Sequence, residues 1–405
     1  MSVSSKPVFL HRGSAPHIAT LIIVASLQAM AMNMFLPSLP QMTEYFQTTY
    51  GIMQLSVGIF LAGSAVMQIL IGPFSDRFGR RPVLLGGIAI YTLATLGCIY
   101  APTAELFLVG RVVQAAASVG MVLSRTIVRD LFPANRAASV IGYVTMAMSV
   151  APMLTPALGG YLTEHFNWQA TFWVLFATGI LVFALVYFDL GETNTTQSES
   201  FRAQFQEYPE LLKSQRFWGY SLASAFSAGA FFAYLGGAPY VATEFFHMSP
   251  ATMGYLIGAP GWGYMVGNFV SGRYSTRLGI NKMVLYGALI ATAGVLASLL
   301  LTLSGLSSPT TFFGFFTFLG LGNGMLLANS TSGMMSVRPR LAGTASGLGG
   351  AMMIGGGAGL SALAGNLLKH GHGPEPLLWI MLVVLILSIL AIWWVIARER
   401  RIGIV

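Results

Sequence analysis

The sequence predicts an all-α integral membrane protein, with twelve transmembrane helices arranged as two pseudo-symmetric six-helix bundles. Three observations predict it: scarce charge, apolar runs of bilayer length from end to end, and a one-sided distribution of Lys and Arg. Of 405 residues, 55% are hydrophobic and only 8% are charged, whereas soluble domains carry about 25% charged residues. A chain so poor in charge cannot cover a water-facing surface. The apolar runs are roughly 20 residues each, the length a helix needs to cross ~30 Å of hydrocarbon.

The predicted spans of the first half are 18–38, 54–74, 83–101, 106–126, 137–159 and 169–188. Those of the second half are 217–238, 251–271, 283–304, 310–331, 341–364 and 376–397. They must be helices, because lipid offers no partner to the backbone groups of an open strand. A β-barrel would show short alternating strands instead of continuous apolar runs.

Alternate gaps between these spans, together with both ends of the chain, hold 19 of the 21 Lys and Arg residues; Lys369 lies on the other side and Arg111 inside a span. Such a bias marks the arginine-rich side as cytoplasmic and accounts for the net charge of +8 without any nucleic-acid partner. Residues 1–17, with Lys6, Arg12 and Pro16, read as a cytoplasmic tail; they lack the compact apolar core and small-residue cleavage site of a signal peptide. The bundles then occupy 18–188 and 217–397, with a cytoplasmic tail at 398–405. Between them, 189–216 is the one long polar stretch, a cytoplasmic linker whose segment from Phe201 to Leu212 is expected to form a short surface helix.

An internal repeat supports two halves. Gly72-Pro-Phe-Ser75-Asp-Arg77-Phe-Gly79 aligns with Gly272-Arg-Tyr-Ser275-Thr-Arg277-Leu-Gly279 at an offset of 200, with Gly58 and Gly258 upstream and Gly87 and Gly287 downstream. Gly120, Met121, Leu123 and Arg136 match Gly324, Met325, Leu327 and Arg340 at an offset of 204. Two parallel six-helix repeats around a midplane cavity form a transporter architecture.

Several segments carry a more specific signal. Gly72, Asp76, Arg77, Gly79, Arg80 and Arg81 lie in the cytoplasmic turn between the second and third spans. Glycine permits the tight turn, and Asp130, closing the fourth span, is positioned to pair with Arg80 or Arg81 as part of a cytoplasmic gate. Asn33-Met-Phe-Leu-Pro37-Ser-Leu-Pro40 ends the first span, and Arg111-Val-Val-Gln114 and Ser124-Arg125-Thr-Ile-Val-Arg129-Asp130 run along the fourth. Pro152, Pro156, Gly159 and Gly160 lie along the fifth, where proline permits a kink and glycine close packing. Leu190-Gly-Glu192-Thr193 follows the sixth.

Together these segments resemble the bicyclomycin-resistance (Bcr/CflA) drug-efflux family of the major facilitator superfamily, strongly in the first half and through hydropathy and the weak repeat in the second. The resemblance implies the major facilitator fold and proton-driven export of small, mostly apolar antibiotics across a bacterial inner membrane. It also implies a functional Arg111 and a helix-five antiporter motif, in which Thr155 replaces the usual glycine.

One departure bears on coupling. Asn33 stands where proton-coupled relatives carry an aspartate, and by the predicted spans no Asp, Glu or His sits at mid-membrane. Three possibilities remain open: coupling through Glu44 or Glu105 at the outer mouth, a hydrogen bond from Asn33 to Arg111 in an uncoupled facilitator, or an acid deeper than the spans suggest. A cavity with Arg111 and no acid disfavours strongly cationic substrates, so neutral or anionic compounds are expected. Candidate substrate or coupling residues are Gln28, Asn33, Arg111, Gln114 and Asn323, with Gln68, Tyr234, Asn268 and Asn329 as further polar groups within spans.

Other classes are poorly served. No His-Glu-x-x-His, paired aspartates or Ser with His lies at membrane depth for an intramembrane enzyme, and no Cys/His cluster suggests a metal. The single Cys98 excludes an intramolecular disulfide. The glycines from Gly347 to Gly359 lie inside a span with no preceding strand, so they are not a phosphate loop, and no cofactor is expected. The partners expected are a small molecule, protons and the lipid bilayer, with the chain a monomer.

Overall fold

The computed structural model describes residues 9–12, 16–131, 144, 148, 150–194, 208–338, 342–368, 373–401 and 403. Lys6, Arg136, Arg202, Arg340, Lys369 and the linker segment 201–207 therefore lie outside the described residues. Among those described, regular structure is entirely helical.

The first half comprises α1 (Ile18–Asn33), a short α2 (Leu39–Tyr45), α3 (Tyr50–Phe78), α4 (Arg80–Ile99), α5 (Ala104–Gln114), α6 (Ser118–Leu131), α7 (Ala151–His165) and α8 (Trp168–Asp189). After α9 (Tyr208–Leu212) in the linker come α10 (Gln215–Tyr240), α11 (Pro250–Ile257), α12 (Ala259–Leu278), α13 (Ile280–Leu303), α14 (Pro309–Val337), α15 (Ala342–Leu368) and α16 (Glu375–Arg401). Among the described residues, ten segments are long and apolar enough to cross a membrane, α5 and α6 counting as one. The two other predicted spans fall on α7, much of whose preceding stretch is outside the described residues, and on α11 with α12, interrupted at Gly258 and ending in polar residues such as Arg273 and Arg277.

The chain supplies short polar caps where these helices begin. Thr103, Asn167, Ser214, Ser249 and Ser308 each accept a hydrogen bond from a backbone N–H of the first turn, satisfying donors that have no partner inside the helix. Helices overrun their predicted apolar spans, as with α3 at 50–78 against 54–74, because polar residues continue the helix into the headgroup layer. Gly79 and Gly279 end α3 and α12 with φ of +94° and +83°. Side chains disfavour this backbone region, and its recurrence 200 residues apart is the repeat seen in three dimensions.

The surface is inverted relative to a soluble protein. Leu93, Phe269 and Leu300 are exposed at 68%, 72% and 58%, while Arg111, Gln114, Asp189 and Asn323 are buried. Each half also carries an aromatic cluster at the end remote from the termini: Phe46, Phe107, Trp168 and Phe172 in one, Phe246, Phe312, Phe313 and Phe316 in the other.

Candidate functional site

The two halves meet chiefly along two helix pairs, α3 with α15 and α7 with α11, and α3 also touches α10. Glycine makes these contacts close. A β-carbon at Gly58 would sit 3.3 Å from the Ala358 carbonyl oxygen, and one at Gly258 would sit 2.7 Å from that of Met153. At Gly160 and Gly254 it would collide with the carbonyls of Pro250 and Pro156. Polar ties reinforce this seam near the end remote from the termini. Tyr50 donates to the Gly236 carbonyl at 3.0 Å, Gln54 donates to the carbonyl and hydroxyl oxygens of Ser361, and the Glu164 carboxylate accepts the Ala251 N–H at 2.9 Å. Glu164 thus meets the positive first turn of α11. That N–H, with the Ser249 hydroxyl, holds its carboxyl below the usual glutamate value. Contact between α3 and α15 continues as far as Gln68, whose Oε1 lies 3.0 Å from where a β-carbon of Gly350 would sit; one turn further toward the terminal end, Gly72 on α3 and Gly347 on α15 have open space in that position.

Arg111 lies in the first half, fully buried. Its Nη1 donates to the Ala31 carbonyl at 3.2 Å and to the Gln114 side-chain oxygen, and Nε donates to the Ser56 carbonyl at 3.4 Å. The guanidinium is sandwiched between Phe35 and Phe60, 4.3 and 4.4 Å from the ring centroids. Gln114 passes the chain of bonds on, donating to the Thr95 hydroxyl at 2.7 Å. No carboxylate contacts this arginine among the described residues.

Asn33 is buried too, but it forms no hydrogen bond with Arg111; its amide donates to the Ala29 carbonyl one turn back at 2.7 Å. The helix explains why. Ala31 and Phe35, one turn apart, face Arg111, and at about 100° per residue Asn33 lies roughly 200° around from Ala31. Its Oδ1 is left without a partner, as are Oε1 of Gln28 and Nη2 of Arg111. Asn323 sits in the other half, accepting from the Ser227 hydroxyl at 2.6 Å. The structure therefore joins Arg111 to Gln114 but not to Asn33 or Asn323. Glu44 and Glu105 are exposed at the end remote from the termini, Glu105 roughly 9 Å along the helix axis from Arg111.

At the terminal end Arg80 organises the turn between α3 and α4. It reaches Asp76 at 2.5 Å, Asp130 at 3.0 Å and the Ser75 hydroxyl at 2.6 Å. Asp130 thus pairs with Arg80, while Arg81 donates to the Tyr187 carbonyl at 3.1 Å. Exposed Arg77 stacks on Phe78, 5.5 Å from its centroid. Glu192, quoted in the sequence only as part of a motif, caps α4 by accepting the N–H groups of Arg80 at 2.9 Å and Arg81 at 3.2 Å. Apart from Glu192, just past α8 at the start of the linker, every one of these partners lies in the first half.

Two buried carboxylates escaped the sequence reading. Asp189, at the end of α8, accepts the Leu10 and His17 N–H groups and the Thr20 hydroxyl, the last at 2.6 Å. Glu399, near the end of α16, binds Arg216 at 2.6 Å and accepts from Tyr220 at 3.2 Å and Asn281 at 2.5 Å. Thr20 and Tyr220 are 200 residues apart, as are Arg81 and Asn281. Each half thus uses carboxylates at its last helix to anchor its first and third, and that spacing was the available signal.

Comparison with known proteins agrees with this architecture. Residues 21–362 and 233–403 match the family model described as Major Facilitator Superfamily. The chain is 31% identical over 351 residues to an uncharacterized MFS-type transporter, YdgK, of Bacillus subtilis, covering 85% of this chain and 87% of that protein. It is 26% identical to a bicyclomycin resistance protein homolog of Haemophilus influenzae, covering 95% and 97%. A solved D-xylose-proton symporter shares the fold, with a TM-score of 0.74, 16% identity and coverage of 93% and 97%. A chain with this helical architecture, apolar exterior and family match over most of its length belongs to the major facilitator superfamily, and is a multi-pass membrane transporter and not an enzyme.

Proposed function

We propose that this chain is a monomeric secondary exporter of small drug-like molecules in a bacterial inner membrane, with both termini cytoplasmic. Its two bundles, 18–188 and 217–397, rock about a central site, driven by proton antiport. The observation that carries the reading is the seam. It is held shut by glycine contacts and three polar ties at one end, while past Gln68 and Gly350, toward the end bearing the arginines, Gly72 and Gly347 have open space where a β-carbon would go. On the proposed orientation this is the state open to the cytoplasm, from which an exporter loads. Kinship with a bicyclomycin resistance protein homolog across nearly the whole chain supports a drug as cargo.

In this reading Arg80, Asp76 and Asp130 brace the cytoplasmic turn of the first bundle, and Pro152, Pro156, Gly159 and Gly160 let α7 bend and close on its neighbours. Arg111 with Gln114 stiffens the first bundle and gives its interior a positive charge, which favours neutral or anionic cargo. Gln28, Asn33 and Asn323 remain the candidates to meet it, the first two each keeping a buried oxygen without a donor. A second reading, an uncoupled facilitator, is favoured by Asn33 in place of an acid.

Uptake of labelled chloramphenicol and bicyclomycin into proteoliposomes, with and without an imposed pH gradient, separates the two. Protein-dependent uptake that rises when the lumen is acidic supports antiport, with Glu44 and Glu105 the first acids to replace. Uptake indifferent to the gradient overturns antiport in favour of a facilitator. No protein-dependent uptake of either compound overturns the choice of cargo.

A further inference from the structure

The exposed face of α16 carries an ordered change of chemistry. Val383, Leu387, Leu390, Trp394, Arg398 and Arg401 follow at intervals of three or four residues, so they lie on one stripe of the helix. The three aliphatic residues are exposed at 51%, 38% and 53% and Trp394 at 42%. The stripe runs into a crevice of about 250 Å³ lined by Gln215, Trp394, Ala397, Arg398 and Arg401.

Among the described residues the positive charge at the crevice is not balanced. Glu399, the nearest acid in sequence, is turned inward and taken by Arg216, and neither Arg398 nor Arg401 joins an ion pair among the described residues. Gln215 opens α10, a 26-residue helix, so the positive end of that helix dipole adds to the two guanidinium groups. Topology alone asks for positive charge somewhere on this side of the bilayer. It does not ask for two arginines without an ion pair among the described residues and a helix N-terminus around one crevice, at the end of an apolar track and beside a tryptophan.

We propose that this crevice is a binding site for a phospholipid with an anionic headgroup. The phosphate sits between Arg398, Arg401 and the first turn of α10. Trp394 lies at the glycerol level, where its amphipathic ring is favoured, and an acyl chain follows Leu390, Leu387 and Val383 into the hydrocarbon. Guanidinium suits the headgroup because its fork binds phosphate oxygens in pairs. The aliphatic track selects a lipid over free phosphate, which would gain only the charged end. The inference stands apart from the transport reading, since binding is measured without cargo and either can fail alone.

The test is native mass spectrometry of the full chain in detergent, titrated with phosphatidylglycerol or phosphatidylcholine. Phosphatidylglycerol is expected to bind more tightly, and Arg398→Gln with Arg401→Gln to weaken it about 30-fold, from the attraction of each basic residue to an anionic surface. Arg400→Gln, which removes one charge from the same turn but lies outside the crevice, is expected to change affinity less than 2-fold, against about 5-fold for Arg398→Gln or Arg401→Gln alone. The double lysine variant is expected to retain binding within about 5-fold, which shows that loss in the glutamine variant reflects charge and not misfolding. Equal binding of phosphatidylcholine, equal loss in Arg400→Gln, or displacement of the lipid by 10 mM inorganic phosphate would each overturn the proposal.

Discussion

Replacing Arg111 by methionine tests whether this buried cation is a clamp within the first bundle. The substitution keeps an unbranched stem but removes the guanidinium from between Phe35 and Phe60 and from its acceptors on α1, α3 and Gln114. The Gln114 side-chain oxygen is then left buried without a donor, which costs about 1–3 kcal/mol. Loss of two desolvated cation–π contacts adds about 2 kcal/mol each at most. Relief from burying an ion offsets part of this, so we expect a net destabilisation of about 2–4 kcal/mol. Adding Gln114→Leu removes the orphaned oxygen, while Thr95 keeps its bond to the Tyr91 carbonyl. The double variant should therefore be at least about 1 kcal/mol more stable than the sum of the two single effects. Reversible unfolding in mixed detergent micelles measures all three. Additivity within about 0.5 kcal/mol would refute the clamp, as would a single variant of full stability that fails only in transport.

Three further substitutions probe the seam and the second bundle. Glu164→Gln weakens the cap on α11, and should raise thiol labelling of a cysteine placed at Ala362 several-fold; unchanged labelling would show that Glu164 does not hold the seam. Because binding lowers the carboxyl's pKa, the wild-type tie is fully present above the ordinary glutamate value and is lost as pH falls through the depressed one. Labelling of Glu164→Gln should accordingly be less acid-sensitive than wild type. Gly160→Leu drives a side chain into the Pro250 carbonyl, so it should abolish transport while leaving thermal stability within a few degrees; normal transport would mean that the seam need not close. Glu399→Gln leaves Arg216 with a neutral partner and should cost about 2–3 kcal/mol, less than for a fully buried pair because Arg216 is partly exposed. Equal stability of the variant would remove Glu399 as an anchor.

Hydropathy made the helices legible because the bilayer imposes both their length and their composition, and Gly79 with Gly279 announced a repeat that recurs in the backbone dihedrals. The pairing of Asp130 with Arg80 was readable as an alternative to Arg81, since both arginines occupy one turn and only packing selects between them. Asp189 and Glu399 were harder. A polar residue at the end of an apolar run looks like the start of a loop, and only the return of Thr20 or Tyr220 from another helix shows it to be buried. The environment of Arg111 was hidden for a similar reason, because Phe35, in the turn after α1, and Phe60, on α3, reach it from 50 to 80 residues away in sequence. The lack of a bond from Asn33 to Arg111, by contrast, follows from helical geometry once Ala31 is known to face the arginine.

The seam has a bearing on tempo. Surfaces that touch through glycine and carbonyl oxygen have few interlocking side chains, so parting them demands little repacking of rotamers. What resists separation is chiefly the set of ties made by Tyr50, Gln54 and Glu164, those of Tyr50 and Gln54 worth about 0.5–1.5 kcal/mol net each and that of the exposed Glu164 weakened by solvent. A threshold of a few kcal/mol is small enough for thermal agitation to cross on the microsecond-to-millisecond scale of domain motions. The smooth interface thus suits a molecule that turns over often and spends little of its life in any one posture.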